Sequence, residues 1–224
     1  NIRANLVRGD VEAAREAVEA ALAEAPDNPD LRYAAAIVAG QSDDLDDARG
    51  ILREIVAASP GYRKAWLTLM RSYRARGDTE ATLAILDDAV AALPGDIELR
   101  LEKASTLERS GDIDGALAIH EALFDENPNS LIFVNNYASM LTSYRDDPET
   151  LERAYTVARR LRGIPQPAMQ DTYGWIAFRR GELTEVLRLA ELANLYDKQI
   201  APDTWEAIAR QAPSVGGPVT PEAR

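Results

Sequence analysis

Three groups of side chains in this chain are of a type and spacing that could do chemistry. Arg71 and Arg74, with Lys64 nearby, could form charge-assisted hydrogen bonds to carboxylates, either those of a partner or those of neighbouring Glu98, Glu102 and Glu108. Asn135 and Asn136 each carry donors and an acceptor. They suit either the backbone of an extended peptide or a link between adjacent helices. Trp175 and Phe178 form either a hydrophobic anchor for a partner's side chain or a surface covered by the segment around Trp205.

Catalytic and metal motifs are missing. No glycine-rich phosphate loop of the form G-x4-G-K-[ST] occurs, and no G-x-G-x-x-G follows a strand. His120 is the single histidine, so one copy of the chain cannot build a two-histidine metal site. Asp43, Asp44, Asp46 and Asp47 cluster, but they lack the alternating ligands, central glycine and closing glutamate of a calcium loop. Carboxylates gathered there suit the positive end of a helix dipole instead. The expectation is of no enzyme, no cofactor and no metal.

Composition narrows the partners. The net charge of −12 opposes the counterion release on which nucleic-acid binding rests, and it disfavours anionic membrane surfaces too. With no cysteine there are neither disulfides nor thiolate sites. No run of about 18 apolar residues is present to span a bilayer. Aromatic residues make up only 6 % of a chain that is 46 % apolar, so small side chains must do much of the helix packing. The excess of arginine over lysine suggests a GC-rich bacterial genome. The chain opens on Asn1, which reads as a fragment or a processed form.

The elements that would position these groups are set by a period. Pro26, Pro60, Pro94 and Pro128 stand 34 residues apart. Seventeen residues before each lies a turn, Gly9-Asp10, Asp43-Asp44, Gly77-Asp78 and Gly111-Asp112. Glycine ends one helix in the left-handed region and the following aspartate caps the next. Ala14, Ala48, Thr82 and Ala116 follow, small enough to let paired helices approach. One helical turn on come Val18, Leu52, Leu86 and His120, and each proline then closes its helix. A helix pair of this period cannot bury its apolar face alone, so copies must stack. The interval from Pro128 to Pro165 is 37 residues, and its excess falls at Arg145-Asp146-Asp147-Pro148. There Asp147 would cap, and Pro148 open, a helix running to about Arg162, with Gly163 as its stop.

Trp66-x-x-Leu69-Met70-x-x-Tyr73 places two aromatics and an aliphatic on one stripe. Here the chain resembles the tetratricopeptide repeat family, whose pattern is W-x2-L-G-x2-Y, then A-x3-F, then P. Met70 departs at the small position, whereas its equivalents Ala36, Ala104, Ala138 and Gly174 are small. His120 falls where the family often places an aromatic packing residue, so a packing role is expected of it. The resemblance implies that the first helix of each repeat faces a groove through its fifth, ninth and twelfth positions. These would be Tyr33, Ile37 and Gly40; Leu67, Arg71 and Arg74; Leu101, Ser105 and Glu108; Asn135, Ser139 and Thr142; and Asp171, Trp175 and Phe178. The family's clamp for a C-terminal carboxylate needs lysine and asparagine at set positions. Only Asn136 matches it, which argues against that subtype. The stretches Leu131–Ala138 and Asp171–Trp175 resemble the final repeats of bacterial envelope lipoproteins, of the exopolysaccharide-export and periplasmic-protease-docking types. That likeness favours the periplasm or envelope over the cytoplasm.

The expected architecture is an all-α, right-handed solenoid of tetratricopeptide-like repeats over residues 1–211. It comprises a half repeat at 1–26, repeats at about 29–62, 63–96, 97–130, 131–166 and 167–198, and a capping helix at 203–211 that carries Trp205 and Ile208. Residues 212–224 are expected as a disordered tail. The expected function is a non-catalytic scaffold that binds a protein or peptide through Tyr33, Lys64, Leu67, Arg71, Arg74, Ser105, Asn135, Asn136, Ser139, Asp171, Trp175 and Phe178. Two alternatives stand beside it: self-assembly through repeat ends into a homo-oligomer, and a regulatory segment of a larger bacterial enzyme or export complex.

Overall fold

A computed structural model describes residues 2–42 and 44–182. Asp43, the second half of the fifth expected repeat, the expected cap around Trp205 and Ile208, and the expected tail lie outside the described residues. Eleven α-helices and one 3-10 turn make up the described fold, with no strand among them. The chain divides into two compact units, Asn1–Ala116 and Leu117–Arg224.

The first unit contains α1 (Ile2–Arg8), α2 (Val11–Glu24), α3 (Pro29–Gln41), α4 (Leu45–Ala58), α5 (Arg63–Ala75), α6 (Thr79–Ala92), α7 (Ile97–Ser110) and the first residues of α8 (Ile113–Glu126). Its turns follow the 34-residue register. Asp10, Asp44, Asp78 and Asp112 each accept the backbone N–H three residues on, at 3.2, 3.1, 3.0 and 2.9 Å. Each such cap stabilises its helix by about 1 kcal/mol. Gly77 and Gly111 hold φ of +72° and +89°, the left-handed conformation that releases the chain from α5 and α7. Two residues after the last residue of α2, α4, α6 and α8 stand Pro26, Pro60, Pro94 and Pro128.

Small residues let the helices of this unit approach. Ala14, Thr82 and Ala116 are almost wholly buried and Ala48 is nearly so, while Ala36 and Ala104 are buried on the first helices. Met70 departs from the small pattern and is fully buried; an unbranched thioether fills the irregular gap. Leu52, Leu69, Leu86 and Leu99 are buried with it, each contributing roughly 1.5–3 kcal/mol of apolar transfer. Trp66 buries its indole and donates its N–H to the carbonyl of Pro60 at 2.7 Å, so the repeat-ending proline also anchors the next helix.

The second unit contains the remainder of α8, then α9 (Leu131–Tyr144), α10 (Pro148–Ala158), a 3-10 turn at Arg159–Leu161 and α11 (Pro167–Arg179). Its core joins Val134, Tyr137, Ala138 and Leu141 to Ala154, Val157, Ala158, Leu161, Met169, Tyr173 and Ile176. Asp147 caps α10 through the Thr150 N–H at 2.8 Å and Pro148 opens the helix, as the sequence reading expects. The helix tightens to 3-10 geometry after Ala158, short of Arg162, and Gly163 at φ +80° turns the chain away.

The long turn after α9 has no left-handed glycine. Arg145 is extended, with φ −132° and ψ 138°. The carbonyls freed there are met from α11: the Arg179 guanidinium donates to the oxygens of Thr142 at 2.7 Å and Arg145 at 3.2 Å, and to the Asp146 carboxylate at 2.8 Å. A side chain from α11, the first helix of the next pair, thus does what a glycine does at the regular turns.

Candidate partner-binding surface

In the first unit the expected groove residues lie on α3, α5 and α7. Tyr33 is half-buried, and its hydroxyl shares a 2.8 Å hydrogen bond with Thr68. Lys64 is exposed, 3.9 Å from Asp30 and 6.0 Å above the Tyr62 ring. Leu67 is only 7 % exposed and belongs to the core cluster against which Tyr33 and Tyr62 pack, so it offers a partner little surface. Arg71 lies 3.8 Å from Glu98, and Arg74 donates to Glu102 at 2.7 Å. Ser105 is half-buried. Of the two fates open to the arginines, pairing with neighbouring acids is the one seen.

These pairs belong to a ladder of alternating charge. The Tyr62 hydroxyl donates to Asp30 at 2.5 Å, and Arg63 donates to both Asp96 and Glu98. Burial pushes the Tyr62 phenol well above its ordinary value, and the bond to Asp30 adds to the effect. Burial also works against the Asp96 carboxylate, but the Arg63 guanidinium and the Leu99 N–H outweigh it and hold the carboxyl below the ordinary 3.8. Arg71 and Glu98 remain about half exposed, so their attraction contributes about 0–1 kcal/mol at most. A carboxylate brought by a partner can therefore replace such a rung at little cost.

In the second unit Asn135, Asn136 and Ser139 are half-buried on α9. The Asn135 side-chain oxygen is buried and accepts no hydrogen bond among the described residues. Asp171 on α11 is exposed as a residue, yet its carboxyl group is desolvated enough to titrate above its ordinary value. Trp175 and Phe178, also on α11, stack at 5.6 Å with 25° between their planes, and both are half-buried. The structure therefore brings the two aromatics together as one apolar element.

Several contributors escaped the sequence reading. Arg63, Asp30 and Asp96 carry the charge ladder, and Arg179 holds the irregular turn. The signal for the ladder is opposite or complementary partners close to one repeat apart, as in Arg63–Asp96 at 33 residues and Tyr62–Asp30 at 32. Arg153–Glu121 in the second unit repeats it at 32. Among the described residues no group of three His, Asp or Glu side chains is placed to hold a metal ion, and no helix is long and apolar enough to cross a membrane. Asp44 caps α4 while Asp46 and Asp47 occupy its first turn. His120 is half-buried on α8.

Two tetratricopeptide repeat models match the chain, at residues 6–73 and 63–106. Among solved structures, PilF of Pseudomonas aeruginosa is 16 % identical over 92 % of this chain and 93 % of its own, with a TM-score of 0.57. YrrB, described as a tetratricopeptide-repeat protein with an unusual peptide-binding site, is 14 % identical over 88 % of this chain and 99 % of its own, at 0.58. MamA from Desulfovibrio magneticus RS-1, residue 41 to its end, is 16 % identical over 74 % and 93 %, at 0.50. No curated protein matches the sequence. The fold class is thus the all-helical one of tetratricopeptide-repeat solenoids. Tetratricopeptide repeats are matched at residues 6–106 of the chain.

Proposed function

We propose that the chain is a non-catalytic scaffold that holds a protein or peptide partner on the first-helix faces of its repeats. Each unit carries its own support for this reading: a polar, exchangeable ladder on α3, α5 and α7 in the first, and a stacked aromatic element on α11 in the second. The ladder selects charge, and the half-buried Trp175–Phe178 pair supplies the apolar contact that dominates interface energetics. The peptide-binding site of YrrB, on the same fold, adds support at the level of the family. Because the helices are packed before a partner arrives, little ordering entropy opposes binding.

The test uses partners captured from the native organism and identified by mass spectrometry. Trp175→Ala, and separately Arg71→Glu with Arg74→Glu, are expected to lose a partner that the parent chain retains, with helicity unchanged. Retention by both variants sinks the reading. A second reading, self-association, is favoured by Val7 on α1, a large apolar residue that is 81 % exposed. Light scattering over a concentration series separates the two, since a monomer throughout removes self-association.

A further inference from the structure

One cleft of about 280 Å³ opens in the first unit at the turn between α5 and α6, lined by Arg74, Gly77, Thr79, Thr82, Thr106 and Arg109. Of its lining residues only Arg74 is among the expected groove positions. In a chain of net charge −12, its lining holds two guanidinium groups and no carboxylate. From this local inversion of charge we infer that the cleft is an oxyanion subsite, taking one carboxylate or phosphoryl group carried on the bound peptide. The inference deepens the scaffold reading and rests on it for the carrier.

The donor inventory supports an anion. A guanidinium has five N–H donors in a planar fork. Arg109 donates to the Thr106 hydroxyl at 3.1 Å and forms no ion pair among the described residues, so most of its fork is uncommitted. Arg74 gives one N–H to Glu102 and retains the others. Two of the three threonines do not compete as donors, because Thr82 gives its hydroxyl proton to the Asp78 carbonyl and Thr106 gives its own to the Glu102 carbonyl, each at 2.7 Å. Their oxygens are thereby fixed, and Thr106 turns its lone pair to Arg109 and orients it. The Thr79 hydroxyl is a further donor at the exposed first residue of α6. At this volume the cleft is below the roughly 300–1,000 Å³ of small-molecule sites, which suits one side-chain head group rather than a cofactor. The overall negative charge does not forbid it, since screening limits long-range repulsion to about 8 Å at physiological salt.

The experiment is an NMR titration of the full chain, following the backbone amides of Gly77 and Thr79 and the side-chain Nε–H of Arg74 and Arg109. The probes are N-acetylated, C-amidated tripeptides with a central glutamate, phosphoserine or glutamine, and inorganic phosphate. Saturable shifts with the glutamate or phosphoserine peptide, absent with glutamine, are expected, and whichever of the two binds tighter names the source. Arg109→Gln should weaken that binding by about tenfold or more, and Arg109→Lys by less. The proposal is overturned by the absence of saturable shifts, by equal affinity in Arg109→Gln, or by inorganic phosphate matching both acidic peptides. If the titration fails while Trp175→Ala still loses its captured partner, the cleft reading falls and the scaffold reading stands. If the cleft saturates while Trp175→Ala keeps its partner, the scaffold surface is misplaced instead.

Discussion

Removing the Arg179 guanidinium should destabilise the second unit far more than removing its visible acidic partner. Arg179 is 17 % exposed at its side chain, whereas Asp146 is 98 % exposed. The exposed ion pair is worth about 0–1 kcal/mol, because water solvates the carboxylate almost as well as the guanidinium does. The bonds to the Thr142 and Arg145 carbonyls are different, since they satisfy the end of α9 from a partly buried charged donor. Losing a charged hydrogen bond of this kind costs about 1.5–3 kcal/mol. Arg179→Met, which keeps the aliphatic stem, should therefore cost about 2–3 kcal/mol, and Asp146→Ala at most about 0.5 kcal/mol. For a chain of this length the first figure lowers the melting temperature by roughly 4–12 °C. Repeat proteins often unfold in parts, so a global melt should be paired with hydrogen exchange of the amides near the end of α9. Faster exchange there in Arg179→Met, with the first unit unchanged, is the expected result. If the two substitutions prove equally mild, the carbonyl clamp is not what closes this turn.

Three further outcomes follow from the same physics. Burial pushes the Tyr137 phenol up to about 12 and raises Tyr62 as well, so both should stay neutral at pH 10. Because a raised folded-state pKa stabilises below the unfolded value, this contribution is lost as pH rises from the ordinary 10.0 through about 12. Phenolate absorbance should show a delayed fraction that appears together with unfolding. Asp96 has the opposite sign: its depressed carboxyl contributes fully above the ordinary 3.8 and loses that contribution as pH falls through its folded value. Asp96→Asn should flatten this acid limb in denaturation curves measured at successive pH values. Met70→Ala should cost about 2–5 kcal/mol by opening a cavity at a fully buried position, measured by urea unfolding, and a loss under 1 kcal/mol would show that the seam collapses around alanine.

Much of the fold could be read directly from periodicity, because the signals are local. A glycine–aspartate turn, a small residue five positions on and a terminal proline each act within one helix pair, so Asp78, Thr82 and Pro94 declare their roles by spacing. The surface was less legible, because its contacts run between neighbouring pairs. In sequence Arg71 and Arg74 leave open whether they meet a partner's carboxylate or neighbouring Glu98, Glu102 and Glu108, and only the packing of the next first helix sets Glu98 and Glu102 beside them. Leu67 occupies a family groove position, but it is taken into the core cluster against which the large rings of Tyr33 and Tyr62 pack. The cleft at Arg109 required knowing which threonines spend their protons on backbone carbonyls, a detail of rotamers rather than of residue order.

The turn after α9 also bears on how the chain folds. Where Gly77 or Gly111 ends a helix, the instruction is contained in the turn itself, and that helix pair can nucleate without waiting for its successor. Arg145 carries no such instruction. Completion of α9 waits for a side chain 34 residues downstream, so a loop must close before the reward arrives. During synthesis the α9–α10 pair would therefore leave the ribosome with a frayed joint, and would be sealed only when α11 docks. A chaperone or protease that senses unfinished repeats would find its last opportunity there.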